Sequence, residues 1–107
     1  MKIKVQDEKI SAVLKELIEE TSSLACAVVG KDNDIISVMG KWEEIEKVSL
    51  SEGVRKENIL MGERVAYSTP IDEKRKLVII FEGKNRIGWI SLRAQRTIEK
   101  IWIMTRD

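Results

Sequence analysis

Few side chains in this chain could carry out chemistry. The 107 residues include no histidine and a single cysteine, Cys26. Histidine is the side chain whose ordinary pKa best suits proton transfer near neutral pH, and it recurs in catalytic triads and zinc sites. Cys26 lies in the apolar run 24–29, which offers neither a cationic neighbour nor a helix N-terminus to activate a thiol. We therefore expect a small buried strand residue at this position and no disulfide framework.

The acidic residues do not form a recognisable reactive site either. Glu19 and Glu20 are adjacent in sequence, and adjacent side chains point about 100° apart on a helix. A notional calcium loop starting at Asp32 fails because Ile36 and Ser37 stand where a ligand and a glycine are required. The phosphate-loop motif Gly-x-x-x-x-Gly-Lys-Ser/Thr is absent. We therefore expect no metal, no cofactor and no enzymatic activity.

Length and composition predict one soluble domain spanning residues 1–107. No segment has the apolar length of a secretion signal or a membrane span, so a cytoplasmic protein without a membrane partner is expected. Charged residues make up 35% of the chain, a bias typical of proteins from hot habitats. Residues 1–46 carry six basic and ten acidic side chains, and residues 73–107 carry nine and four. This asymmetry is not the basic footprint of a nucleic-acid-binding protein.

Periodicity divides the first part of the chain into a helix and a hairpin. Asp7 can cap a helix. Its apolar stripe has the helical spacing and consists of Ile10, Val13, Leu14, Leu17 and Ile18. The run 24–29 is apolar at every position and predicts a central strand. After turn residues 30–34, the segment 35–39 predicts the second strand of the hairpin.

The middle of the chain predicts a second helix and three more strands. The helical pattern starts at Lys41, and Gly53 ends it. One face of this middle helix carries Trp42, Ile45, Val48 and Ser49. Strands are predicted at 58–61, at 64–71, where apolar and small residues alternate, and at 77–81, which is apolar throughout.

A closing helix is predicted from Arg86 to about Met104, with Asn85 as its N-cap. Residues 87–92 also have β-propensity, but one stripe at about 100° per residue favours the helix. The stripe consists of Ile87, Ile90, Ser91, Ala94, Ile98, Ile101 and Thr105. The elements therefore follow the order α-β-β-α-β-β-β-α, and the pattern predicts an α+β fold with one five-stranded antiparallel sheet in the order 2-1-5-4-3.

Two surfaces are candidates for contacts with other proteins. The third strand would lie at the edge of the sheet, where unpaired backbone groups invite pairing with an identical chain across a twofold axis. On the closing helix, several apolar residues project away from the predicted core. The set includes a tryptophan and an arginine, residue types that are enriched where proteins contact each other. That candidate partner surface consists of Trp89, Leu92, Arg96 and Ile103. The alternative is that the first helix or residues 3–5 of the same chain cover it.

The whole pattern resembles the roadblock (dynein light-chain) family. The resemblance rests on the element order, on Val38-Met-Gly40 at the end of the hairpin, and on Leu77-Val-Ile-Ile-Phe-Glu82 followed by Asn85-Arg-Ile-Gly88. It implies a profilin-like fold and a non-catalytic adaptor or regulator, either a homodimer or a heterodimer, with a small Ras-like GTPase or another protein as its partner. It also implies that the middle helix and third strand form the dimer interface. The candidates are Trp42, Ile45, Val48, Ser49, Asn58, Ile59, Leu60 and Met61.

One departure and one alternative follow from the same comparison. The family's middle helix usually exceeds twenty residues, whereas Gly53 leaves about twelve here. We therefore expect a dimer that is weaker or has a different geometry. The alternative is a GAF-like or other profilin-like sensor domain for a small ligand, because those folds share much of this strand and helix order. Such a sensor requires an enclosed apolar pocket with a few polar groups.

Overall fold

The described part of the chain contains two helices and five strands. A computed structural model of the protein describes residues 8–30, 35–41, 59–61, 64–83 and 87–105. In chain order the elements are α1 (Glu8–Thr21), β1 (Ala25–Val29), β2 (Ile35–Gly40), β3 (Ile59–Met61), β4 (Arg64–Pro70), β5 (Lys76–Glu82) and α2 (Ile87–Thr105). The predicted middle helix, with Trp42, Ile45, Val48 and Ser49, lies outside the described residues.

The strands form one antiparallel sheet in the order β2-β1-β5-β4-β3. This is the order predicted from the apolar character of the strands. β1 pairs along its whole length with both β2 and β5, and every residue of β1 is buried. β5 pairs with β4 on its other side and is buried from Leu77 to Phe81. Because β1 and β5 are central strands, both of their faces are covered. This explains why Ala25–Val29 and the stretch from Leu77 to Phe81 contain only apolar residues.

Both helices pack on the same face of the sheet. The core on this face contains strand residues Cys26, Val28, Val65, Leu77, Ile79 and Phe81. It is closed by helix residues Ile10, Leu14 and Leu17 of α1, and Ile90, Ala94, Ile98 and Ile101 of α2. The predicted helical stripes therefore face the core, with two exceptions. Val13 is half-buried and is not part of this core, and Thr105 is exposed, while Met104 packs against the core instead. α2 is a helix from Ile87 onward. The burial of one continuous apolar stripe therefore outweighs the β-propensity of residues 87–92.

The opposite face of the sheet is also buried. Its core consists of Ala25, Ala27, Val29, Ile35, Ala66, Val78 and Ile80. Neither α1 nor α2 contributes to this second core. Across the sheet, the smaller side chains of β1 and β4 alternate with the larger ones of β2 and β5.

Polar contacts attach the first part of α1 to the sheet and mark the end of the helix. Ser11 and Ser37, both buried, share a hydrogen bond of 2.6 Å between their hydroxyls, which sets α1 over β2. At the other end, the Thr21 hydroxyl donates to the Leu17 carbonyl at 2.7 Å. Ser22 then takes the left-handed conformation with φ of 54°, which stops the helix and turns the chain into β1. No helix in the described residues is long and apolar enough to cross a membrane.

Gly40 allows a close backbone approach at the end of the hairpin. Its φ is +93°, and a Cβ at this position would lie 2.5 Å from the Leu24 carbonyl oxygen and 2.8 Å from the Ala25 Cα. Both neighbours are backbone atoms that cannot move without disturbing β1. The glycine therefore lets β2 end tightly against the start of the central strand.

Replacing this glycine should destabilise the fold. We expect Gly40→Ala to lower the free energy of unfolding by about 2 kcal/mol or more, because a left-handed alanine is strained and its methyl overlaps backbone. Gly88→Ala is the matched control, since a Cβ there meets nothing within 4 Å. In urea denaturation the control should be neutral or stabilised by up to about 1 kcal/mol. Equal stability of the two variants would contradict the hairpin geometry.

Candidate functional site

The structure places Cys26 in the core, as predicted. Its side chain is fully buried on the helix-covered face, and its thiol lies 3.4 Å from the Leu14 carbonyl oxygen, to which it donates. Burial raises the pKa of the Cys26 thiol, so the reactive thiolate is disfavoured. Within the described ranges, no group of three or more histidine, cysteine, aspartate or glutamate side chains could hold a metal ion.

A cleft of about 270 Å³ lies at the turn between β4 and β5. It is lined by Gly30, Pro70, Asp72, Glu73, Lys74, Arg75 and Lys76. Five of these seven residues are charged, and the cleft is open to solvent. It does not provide the enclosed apolar pocket that a small-ligand sensor requires, so it gives the sensor alternative no support.

The side of α2 that faces α1 is held by two ion pairs. Lys100 pairs with Glu16, and Arg93 contacts Glu20 at 3.5 Å. From Arg93 to Lys100 the residue number rises along α2, while that of the partner falls from Glu20 to Glu16 along α1. The two helices are therefore antiparallel neighbours on the sheet. Because these side chains are partly exposed, each pair contributes little stability. They mark the side of α2 that faces α1.

The other side of α2 is tied to β4 and to the β4–β5 turn. The Tyr67 hydroxyl donates to the Ser91 hydroxyl at 3.2 Å. Near the end of the helix, the Trp102 indole N–H donates to the Ile71 carbonyl at 2.7 Å. These contacts join this flank of α2 to the sheet, and they bring the half-exposed Trp102 ring against the turn.

The turn that receives Trp102 is itself ordered by Asp72. One carboxylate oxygen of Asp72 accepts hydrogen bonds from the Lys74 and Arg75 amides, and the other accepts from the Arg75 guanidinium at 2.8 Å. Slight burial raises the pKa of Asp72, but these hydrogen bonds and the Arg75 charge outweigh it and hold the pKa below its ordinary value. Arg75 also donates to the Thr105 hydroxyl at 3.3 Å, which connects the turn to the last residue of α2.

With its inner side buried and both flanks occupied, α2 leaves one side open to solvent. The exposed fractions are 43% for Trp89, 61% for Leu92 and 68% for Ile103, and Arg96 is exposed beside them. The four residues predicted to project away from the core do so. Neither helix nor any strand of the described chain covers them.

Sequence reasoning missed two residues that shape this surface. Trp102, at 48% exposure, adds apolar area on the flank nearest the turn. Arg93 stacks its guanidinium 4.4 Å from the centre of the Trp89 ring, a cation–π contact that holds the indole in place. The spacing of four between Trp89 and Arg93 on a helix could have revealed this pair. The Nε of Arg93 is buried without a hydrogen-bond partner, a cost that accompanies the stacked position.

The second candidate surface is the edge formed by β3. Ile59, Leu60 and Met61 form the last strand of the sheet order and pair only with Ala66, Val65 and Arg64 of β4. The predicted edge position of the third strand is thus observed. Asn58, like the candidates on the middle helix, lies outside the described residues.

The fold of this chain is that of roadblock domains. MglB from Myxococcus xanthus matches 91% of this chain and 87% of its own chain with a TM-score of 0.72 at 18% sequence identity. A roadblock/LC7 domain from Streptomyces avermitilis matches 86% of this chain and 97% of its own, with a TM-score of 0.71 at 15% identity. A structure described as MglB with tetrameric arrangement matches 86% and 84%, with a TM-score of 0.66 at 16% identity. The predicted roadblock-type, profilin-like α+β fold is confirmed.

The likeness is one of structure. By sequence, no family model and no curated protein matches the chain. At 15 to 18% identity in these three structures, the shared feature is the arrangement of strands and helices.

The exposure of the outer side of α2 can be tested with two isoleucines two residues apart. We expect Ile101→Ala to lower the free energy of unfolding by about 2 to 5 kcal/mol, because Ile101 is fully buried. Ile103→Ala removes the same atoms from an exposed site and should change stability by less than about 0.5 kcal/mol. The measurement is urea denaturation of dilute protein. A large loss at Ile103 would show that part of the chain covers this side.

Proposed function

We propose that this chain is a non-catalytic adaptor or regulatory module of roadblock type, which self-associates and binds a small Ras-like GTPase or another protein. The observation that supports this most strongly is the likeness of nearly the whole chain to MglB and roadblock/LC7 domains. The scarcity of reactive side chains is consistent with a role in binding. One of the similar structures is described as a tetrameric arrangement, which supports self-association.

The proposed dimer uses the β3 edge and the predicted middle helix. β3 is three residues long and pairs on one side with β4. Its other edge has backbone groups that a second β3 could pair with across a twofold axis, which would join two sheets into one. The candidates from the middle helix, Trp42, Ile45, Val48 and Ser49, would extend this contact.

A negative charge in β3 should break the dimer. In a twofold interface Leu60→Glu places two like charges near each other, which costs several kcal/mol. We therefore expect the dissociation constant to rise by about 100-fold or more, with the mass measured by light scattering falling from dimer to monomer. Ile45→Glu should act in the same direction.

Ala12→Glu is the matched control for this experiment. Ala12 is exposed on α1, so the variant adds the same charge away from β3 and suits a helix. It should retain the wild-type mass. A wild-type chain that is monomeric at every concentration would contradict the dimer, and equal effects of the two variants would show that β3 is not the interface.

The GTPase partner can be tested by affinity capture. The immobilised chain is incubated with lysate of its source organism containing a non-hydrolysable GTP analogue, GDP or no nucleotide, and bound proteins are identified by mass spectrometry. A regulator that distinguishes the nucleotide states should retain a Ras-like GTPase in amounts that differ between the three conditions. A set of bound proteins that includes no GTPase under any condition would contradict this partner.

A further inference from the structure

The open side of α2 has the spacing of a coiled-coil seam. Its residues are Trp89, Leu92, Arg96, Glu99 and Ile103, which we call the outer seam. The intervals are three, four, three and four residues, the heptad alternation by which one helix packs along another. All five are exposed, and they lie opposite the stripe that packs on the sheet. A seam of this kind fits a helix as its partner.

The outer seam is complementary to a second copy of itself that runs in the opposite direction. If a second α2 is laid antiparallel about the midpoint between Arg96 and Glu99, Leu92 of each copy faces Ile103 of the other. The same operation places Arg96 of each copy beside Glu99 of the other. The twofold axis thus yields two apolar contacts and two opposite-charge contacts from four residues.

We propose that the outer seam of α2 is a self-association surface, and that its occupant is α2 of a second copy of this chain in antiparallel orientation. A parallel pairing would place Arg96 against Arg96 and Glu99 against Glu99, and like charges in such positions disfavour that register. The two charged positions therefore select the orientation, while Leu92 and Ile103 supply apolar burial.

The flanks of the seam are compatible with this approach. Arg93 and Lys100 lie on one flank and would come near their equivalents in the second copy. Each is paired with a glutamate of its own α1, Glu20 and Glu16, which reduces repulsion between the copies. Trp102 lies on the other flank, half-exposed, and extends the apolar area. Trp89 is held by Arg93, so its ring loses little freedom on contact.

The seam supports a weak association. From Leu92 to Ile103 the helix rises about 16 Å, so the contact area is below that of a standard stable interface. The surface is also separate from β3, and it does not depend on the proposed GTPase partner. A chain with both surfaces could join dimers into larger assemblies.

A charge-exchange experiment tests the proposal. Arg96→Glu leaves two acidic residues in the seam, and Glu99→Arg leaves two basic residues. Each variant alone should associate through the seam at least about tenfold more weakly than wild type. An equimolar mixture should regain association, because each acidic seam then meets a basic one. The mass of the assemblies is measured by sedimentation velocity from micromolar to millimolar protein. Association through the seam is seen as species larger than the β3 dimer, or, in the Leu60→Glu background, as species larger than the monomer.

Several outcomes would overturn the proposal. One is a wild type that gains no mass with concentration beyond the β3 dimer, which would assign the seam to a different partner. Another is a pair of single variants that associate as wild type does, and a third is a mixture that does not recover. Both charged positions are exposed, so the variants should keep the wild-type circular dichroism spectrum and unfolding midpoint.

Disulfide capture tests the antiparallel register independently. A mixture of Leu92→Cys and Ile103→Cys chains should cross-link to each other under mild oxidation, and each variant alone should cross-link far less. Cys26 is fully buried, so the wild type is a suitable control and should not cross-link. Preferential linkage of Leu92→Cys to itself would indicate the parallel arrangement and overturn the proposal.

Discussion

The antiparallel pairing of β1 with β5 is the constraint on which the rest of this structure depends. Five residue pairs, from Ala25–Ile80 to Val29–Lys76, join segments that are distant in sequence. Both strands are buried on both faces, so each face needs a cover. α1 and α2 cover one face side by side. Their antiparallel arrangement is seen in the two charge contacts, Lys100–Glu16 and Arg93–Glu20.

That arrangement also determines what the molecule can present to other proteins. A helix with one side on the core and two flanks engaged by neighbours has one side left, and in α2 this side carries exposed tryptophan, leucine and isoleucine. A sheet with β1 and β5 at its centre has β2 and β3 at its ends. The two candidate surfaces, the outer seam of α2 and the β3 edge, are therefore consequences of how the core is closed. They lie on different elements and can act independently.

Sequence periodicity predicted the strand order, both described helices and the exposed side of α2, because burial leaves a direct pattern in residue type. The uniform runs 24–29 and 77–81 identified the central pair, and the stripe through Ile90 and Ile101 separated helix from strand. Contacts that depend on tertiary placement left no such pattern. The bond from Trp102 to the Ile71 carbonyl became visible only with the elements in place, whereas the spacing of four between Trp89 and Arg93 could have indicated their stacking. The interface role of Trp42 to Ser49 stays a prediction.

Hydrogen–deuterium exchange at the backbone amides of Ile59–Met61 tests the central claim, self-association through the sheet edge, most directly. In a β3-paired dimer, the outward-facing amides of this strand are hydrogen-bonded across the twofold axis. We expect the exchange of these amides to slow as protein concentration rises, or to be slow already at the lowest concentration, and we expect Leu60→Glu to make it fast. Rapid exchange of these amides at every concentration, as in an open edge strand, would contradict it.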